Sequence, residues 1–401
     1  DWSSDVCSSD LEWEDRGDLT KLSARIQQYC DQHRGKLRGR IVLLTEARDL
    51  DPPKDPAATR LDDPKLHQLN LAPDAQPPVP WEWPLLSLPQ NPKRRAALWA
   101  SVPTQVMFDY WDRTRNAMDP LLAFFRQEGV VAVFATDRRG DGGLIFSESM
   151  GSWNLGAPIG PPVAPLAPEA YNRLVRLLEH KVPTRVEVDI EARFHEESGD
   201  GENVIAEIPG RRKRDEVVML GAHLDSWHTA TGATDNGLGS YSILDLARAM
   251  AAEPHKPERT VRFVLFMGEE QGLLGSRALV EHYRSTKELA RIRAMVNLDM
   301  SGNPQGFGVG GADGWGRLID TLSKQIRAVD TAAFAGRSSE QVWLHSDHQP
   351  FLLAGVPVIY PLSDLGKHVY GCYHSSCDDI HLVDPQAMVN NVRFVGQLIY
   401  H

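Results

Sequence analysis

The stretch GAHLDSWHTATGATDNGLGS, residues 221–240, gathers His223, Asp225 and Asp235 among small residues. It follows an apolar run at 217–220 and precedes an amphipathic helical pattern at 238–252. Ionised side chains at the end of a buried strand are unfavourable unless they are paired or hold a metal. Further along, GEEQGLLGS carries the adjacent acids Glu269 and Glu270, which repel one another unless a cation or a proton relieves them. Asp299 stands in NLDM and His374 in YGCYHSSCDD. Imidazole nitrogens and carboxylate oxygens in this combination are the donor set of a two-zinc site, with water left as nucleophile. Two such metals share a carboxylate when they lie about 3.5–4 Å apart.

A glutamate pair before a helix has a simpler reading, a solvated N-terminus favoured by the helix dipole. Position outweighs it. The apolar run 217–222 leads to His223 and Asp225, 261–268 to the glutamate pair, and 294–298 to Asp299, while 356–362 precedes the loop with His374. In open α/β sheets, ligands bind beyond the carboxyl ends of the strands. These short runs, with helical patterns between most of them, predict a three-layer αβα domain over 183–401 with a largely parallel or mixed sheet. TRVEVDIEARF (184–194) has the period of a half-exposed strand, and NVIAEIPG (203–210) reads as a second.

Before residue 183 the pattern predicts a helix over 19–32 and a turn into a strand within GKLRGRIVLL. Residues 51–94 are proline-rich and favour extended, irregular structure. AMDPLLAFFRQEGVVAVFAT reads as a helix, a glycine stop and a buried strand; LAPEAYNRLVRLLEHKVP reads as a helix bounded by prolines.

The chain has 401 residues, 42% hydrophobic and 24% charged, and its length suggests two domains. A formal net charge of -11 argues against nucleic acid as partner, and the one dense basic cluster, GRRKRDE at 210–216, reads as a solvated turn. No apolar stretch approaches a membrane span. Residues 1–11, DWSSDVCSSDL, lack periodicity and read as translated sequencing-adapter sequence, so the native start is expected to be missing. The closing RFVGQLIYH stops inside an apolar helical pattern and suggests truncation there too. Setting Cys7 aside leaves Cys30, Cys372 and Cys377, with no paired CxxC spacing for a structural zinc. Cys372 and Cys377 are near enough for a local disulfide. Spacing does not establish the geometry, and free thiols are the preferred reading.

The motifs GAHLDSW, GATDNG, GEEQGLLGS, NLDM, SDHQPFLLAGVPV and YHSSCDD, in this order over 203–384, resemble the co-catalytic zinc aminopeptidase family, in particular its carboxypeptidase Q-like branch. The resemblance implies that residues 12–182 form a β-rich protease-associated domain. It implies two Zn2+ ions, one held by His223 and Asp299, the other by Glu270 and His374, with Asp235 bridging. Glu269 is then the general base for a water bridged by the two metals, and the activity is that of an aminopeptidase or dipeptidase on short peptides. The alternatives on this scaffold are a single-zinc glutaminyl cyclase-like acyltransferase and a catalytically inactive receptor-like domain.

Related glutamate carboxypeptidases suggest Tyr373 as a hydrogen-bond donor to the oxyanion. Asp225, two residues after His223, reads as the carboxylate that orients its ring. His345, Asp347 and His348 match a family segment beside the site and are expected in a hydrogen-bonded pocket wall. His228 and His381 read as ordinary polar residues, and Asp378 and Asp379 as a helix start. The family also implies a cis peptide bond at Asp235–Asn236, periplasmic or secreted location, and a possible homodimer.

Overall fold

A computed structural model describes residues 17–50, 62–64, 79–137, 139–147, 156–193, 201–340 and 344–400. The adapter-like residues 1–11 and much of the proline-rich stretch lie outside these. The chain divides into two compact units, Asp1–Ala192 and Arg193–His401. The division falls after Ala192 rather than after Val182, and no strand forms over 184–193. There the alternating valines serve a different purpose. Val186 and Val188 pack against a cluster containing Leu43, Phe134 and Tyr171 of the first unit instead of joining a ladder.

In the first unit, helix α1 (Leu19–His33) starts at Asp18, whose carboxylate accepts from the backbone of Thr20 and Lys21. Strand β1 (Ile41–Leu43) follows. Then come α2 (Pro92–Ser101), α3 (Thr104–Asn116), α4 (Asp119–Glu128), β2 (Ala132–Ala135), β3 (Val163–Pro165) and α5 (Pro168–Glu179). The glycine stop predicted after α4 is Gly129, at φ 79° in the left-handed region. The three strands form a parallel sheet in the order β1-β2-β3. Among the described residues this unit is therefore helix-rich, which corrects the expected β-rich character. The reason lies in 92–128, where prolines sit at helix starts and helix-forming residues follow.

The second unit is built on a seven-stranded mixed sheet. Its strands are β4 (Val204–Ile208), β5 (Lys213–His223), β6 (Arg259–Phe266), β7 (Ile292–Asn297), β8 (Gly306–Gly310), β9 (Arg337–Ser339) and β10 (Val358–Pro361). They lie in the order β4-β6-β5-β7-β10-β8-β9. The central strands β6, β5, β7 and β10 run parallel to their neighbours among these four. The helices are α6 (Leu238–Ala252), α7 (Leu274–Ser285), α8 (Trp315–Val329), α9 (His348–Leu353), α10 (Lys367–Tyr370) and α11 (Pro385–Tyr400).

Alternation along the strands sends side chains to both faces. Leu220 and Ala222 of β5, Val261 and Phe263 of β6 and Val296 of β7 meet α6, α8 and α11 through Ile243, Ile319 and Phe394. Met219, Val264, Phe266 and Met295 point to the other face, against Leu279 and Tyr283 of α7 and Phe351 of α9. Helices thus cover both faces of the sheet, as the alternating pattern predicted. Gly221 sits where a Cβ would collide with the Phe266 ring. That close approach keeps β5 centred, and β5 delivers His223.

Candidate metal centre

Parallel strands bring the candidate residues together at the carboxyl ends of the central strands. His223 at the end of β5 pairs with Phe266 at the end of β6, three residues before Glu269. Gly221 pairs with Asn297 at the end of β7, just before Asp299. β10 lies beside β7, and the chain leaves it for the loop with Tyr373 and His374.

Asp235 occupies the middle of the group. Its Oδ1 lies 3.2 Å from His223 Nε2, and its Oδ2 lies 3.0 Å from His374 Nε2. His223 Nε2 is also 3.4 Å from Asp299 Oδ1, and His374 Nε2 is 3.0 Å from Glu270 Oε2. The structure therefore brings His223, Asp299, Asp235, Glu270 and His374 together as two pairs around one carboxylate. Donor atoms of His223, Asp235 and Glu270 lie within 4.8 Å of one another.

Buried polar atoms here lack hydrogen bonds: Asp235 Oδ2, Glu270 Oε1 and His374 Nε2. Of these, Asp235 Oδ2 and His374 Nε2 lie 3.0 Å apart without forming a hydrogen bond. Buried unsatisfied atoms of this kind call for an explanation such as an ion, and the nitrogen and oxygen donor set fits zinc.

Charge coupling is strong. Burial acts to lower the His223 imidazole, but Asp299 and Asp235 lift it well above its ordinary value. His374 rises to about 9 because Asp235 and Glu270 outweigh its burial. Against burial, the two imidazoles hold Asp235 down to about 2. Burial raises Glu270, with His374 opposing. Glu269 is half-buried beside them, and its carboxyl is raised well above the usual range. Desolvation is the main cause; the His223 charge opposes it, while Asp299, Asp347 and Glu270 reinforce it.

The loop that presents Asp235 is fastened from several sides. Ala233–Gly237 forms a π-type turn in which Asp235 (φ -122°, ψ 86°) and Asn236 (φ -129°, ψ 43°) are not helical. The Asp235–Asn236 peptide bond is cis, as expected. Asp235 does not cap α6, whose start has no side-chain cap. Asn236 Nδ2 donates to the Leu298 carbonyl at 2.9 Å, and its Oδ1 accepts from Gly239 at 3.0 Å and Met300 at 3.3 Å. Gly239 is needed there because a Cβ would run into the Leu298 carbonyl and Asn236. Ser226 Oγ donates to the Asp235 carbonyl at 2.6 Å, and Ser240 Oγ to the His223 carbonyl at 2.5 Å. Sequence reasoning missed these holding residues, because a serine or asparagine among small residues carries no local signal of its partner.

Asp225 is placed differently from expectation. The His223 ring is oriented by the Asp225 backbone carbonyl, 3.0 Å from Nδ1, while the nearest carboxylate oxygen is 4.0 Å away. The carboxylate instead accepts from the backbone N–H of Glu269 and of Glu270, each at 3.2 Å. It fixes the strand end that carries both glutamates. Asp378 and Asp379 stand at the start of a short helical turn, as expected. Only Asp379 caps the short turn at Ile380–Leu382, and Asp378 turns inward, buried, onto Thr234 and Asp235.

Around the rim, the Tyr373 ring stacks on His374 with centroids 3.6 Å apart, and burial raises its phenol. Trp227 lies 5.8 Å from the same imidazole. Asp347 is fully buried, and burial lifts its carboxyl to about 7 in a field shared with His223, Asp299 and Asp225. His348 is buried too, against Tyr360, and His345 is exposed. His228 and His381 are exposed. Cys372 and Cys377 form a disulfide, which corrects the preferred reading of free thiols. The loop folds back on itself through the Ser375 hydroxyl, which donates to the Cys372 carbonyl at 2.8 Å, and this brings the two sulfurs within bonding reach.

Residues 203–399 match Peptidase family M28. Leupeptin-inactivating enzyme 1 of Streptomyces exfoliatus is 30% identical over 224 residues, 52% of this chain and 50% of that protein. Human carboxypeptidase Q is 26% identical over 232 residues, 57% of this chain and 46% of that one. The chain spans about half the length of these curated relatives. A solved structure of a peptidase M28 precursor from Shewanella amazonensis shares the fold. Its TM-score is 0.54 at 24% identity, over 72% of this chain and 62% of that one. From residue 203 to residue 399 the second unit is thus similar to peptidase family M28.

Proposed function

We propose that the protein binds two zinc ions and hydrolyses short peptides from a free terminus, as an aminopeptidase or dipeptidase. The observation that carries this reading is the division of the Asp235 carboxylate between His223 and His374. In it, His223 and Asp299 would hold one metal and Glu270 and His374 the other, with the Asp235 carboxylate shared between them. Bound zinc supplies Lewis acidity toward a peptide carbonyl and lowers the pKa of water to about 7.

Glu269 takes the proton of the attacking water and passes it to the departing amine. A carboxylate beside the metal-holding residues suits that exchange. Asp225 keeps Glu269 and Glu270 in register through their backbone N–H groups. Tyr373, stacked on His374 at the rim, donates a hydrogen bond to the tetrahedral oxyanion. Asp347 supports the site from behind as a buried acid.

The disulfide favours an oxidising compartment, in line with a periplasmic or secreted enzyme. Among the described residues no helix is long and apolar enough to cross a membrane.

The test is to load the purified protein with zinc, count the metal, and assay dipeptides, aminoacyl amides and N-blocked peptides. The expected result is two zinc ions per chain and cleavage that requires a free amino terminus. One zinc ion with cyclisation of an N-terminal glutamine would replace this reading with the cyclase one.

A further inference from the structure

Asp378 is buried, 3% exposed, in the loop that also carries His374. Its carboxylate is spent on one short segment. Oδ1 accepts from the Thr234 backbone N–H at 2.8 Å and the Thr234 hydroxyl at 2.6 Å, and Oδ2 accepts from the Asp235 N–H at 3.1 Å. Thr231 ties the same two loops: its N–H and hydroxyl reach the Asp378 carbonyl at 3.2 and 3.3 Å. On the far side of Asp235, the Ser226 hydroxyl holds the carbonyl. Asp235 is thus gripped at its N–H and at its C=O, and its backbone cannot turn without breaking a charge-assisted bond.

A buried carboxylate given to neutral donors is a poor choice for stability alone, since desolvating it is unfavourable. Three hydrogen bonds to the charged form offset that. An amide would not serve: asparagine offers one oxygen, and its NH2 would face an N–H of Thr234 or Asp235. The position calls for an acid.

We infer that Asp378 is a positioning residue, which fixes Asp235 so that its two carboxylate oxygens face the two sides of the metal centre. This rests on the reading of Asp235 as a carboxylate shared by two zinc ions. The same loop then supplies one ligand, His374, and the grip on the bridge between the ligands.

The test uses the full chain as wild type and as Asp378→Asn, Thr234→Val and Asp379→Asn. Zinc binding to the metal-free proteins is titrated against a chromophoric chelator. The cobalt-loaded proteins are examined by electron paramagnetic resonance for coupling between two ions. Circular dichroism checks the fold. Wild type is expected to take two ions and show coupling. Asp378→Asn should bind the second ion at least about tenfold more weakly, the scale on which groups behind metal ligands act, and the coupling should weaken. Thr234→Val, which loses the hydroxyl bond and keeps the backbone ones, should show a smaller loss. Asp379→Asn, which keeps the oxygen that accepts from the Thr231 hydroxyl and the Ile380 N–H, should match wild type.

If Asp378→Asn folds and keeps wild-type affinity and coupling, the inference is wrong. Should that variant not fold, unchanged affinity and coupling in Thr234→Val overturn it. A wild-type protein without two coupled ions instead overturns the shared-carboxylate reading, and the role of Asp378 with it, whatever the variants do.

Discussion

Nε2 of His374 lies 3.0 Å from Oδ2 of Asp235, and neither atom has a hydrogen-bond partner. Two buried polar atoms held this close without a directed bond are arranged for something between them. His374→Ala removes one side of that arrangement and leaves His223, Asp235 and Asp299 in place. Zinc content after exhaustive dialysis, measured by atomic emission, should fall from two ions toward one. A variant that keeps both ions would show that His374 is not a ligand.

Adjacent glutamates should separate into different roles. Glu270 Oε2 points at His374 Nε2, whereas Glu269 has its raised carboxyl beside the group without such a contact. Glu269→Gln is expected to retain zinc while kcat falls at least about a hundredfold, the usual scale for a lost general base. Glu270→Gln should weaken zinc binding first. Parallel effects from the two substitutions would mean that the roles are wrongly assigned.

Asp225→Asn probes the strand end. The amide keeps one acceptor for two N–H donors, so one backbone N–H of the glutamate pair is left unpaired. A lost charged hydrogen bond of this kind costs about 1–3 kcal/mol. Denaturant titration should show that loss together with reduced kcat, because Glu269 is no longer fixed. The His223 ring keeps its backbone-carbonyl partner, so zinc affinity should fall less than in Glu270→Gln. An equal loss of zinc affinity would contradict the observed division of labour within Asp225.

The Cys372–Cys377 bridge encloses His374, which sits at φ 58° in the left-handed region. Replacing both cysteines by serine frees that loop. For a bridge between residues with a sequence separation of 5, chain entropy accounts for about 2 kcal/mol. The double variant should melt lower and hold its second zinc ion more weakly, and reduction by tris(2-carboxyethyl)phosphine should do the same to wild type while leaving the variant unchanged. Identical melting and zinc titration curves would show that the loop is held by other contacts, such as the Ser375 hydroxyl on the Cys372 carbonyl.

Local sequence determined which chemistry this protein carries and on which strands. Apolar runs of strand length ending in His223, Glu269–Glu270 and Asp299 state the donor set directly, and their alternation with helices implies parallel strands whose carboxyl ends lie together. Burial of apolar faces leaves little choice about that arrangement. Tertiary structure alone decided how the donors are held. Asp378 meets Thr234 across 144 residues, and spacing contains nothing about a contact at that distance. Backbone direction gave the His223 ring to the carbonyl of Asp225 rather than to its carboxylate, a choice between two oxygens of one residue that composition does not encode. The disulfide needed two sulfur atoms brought to bonding distance by the loop's own fold. At 184–193 the alternation suited a strand, but a ladder needs a neighbour with free N–H and C=O groups, and the valines found an apolar surface instead.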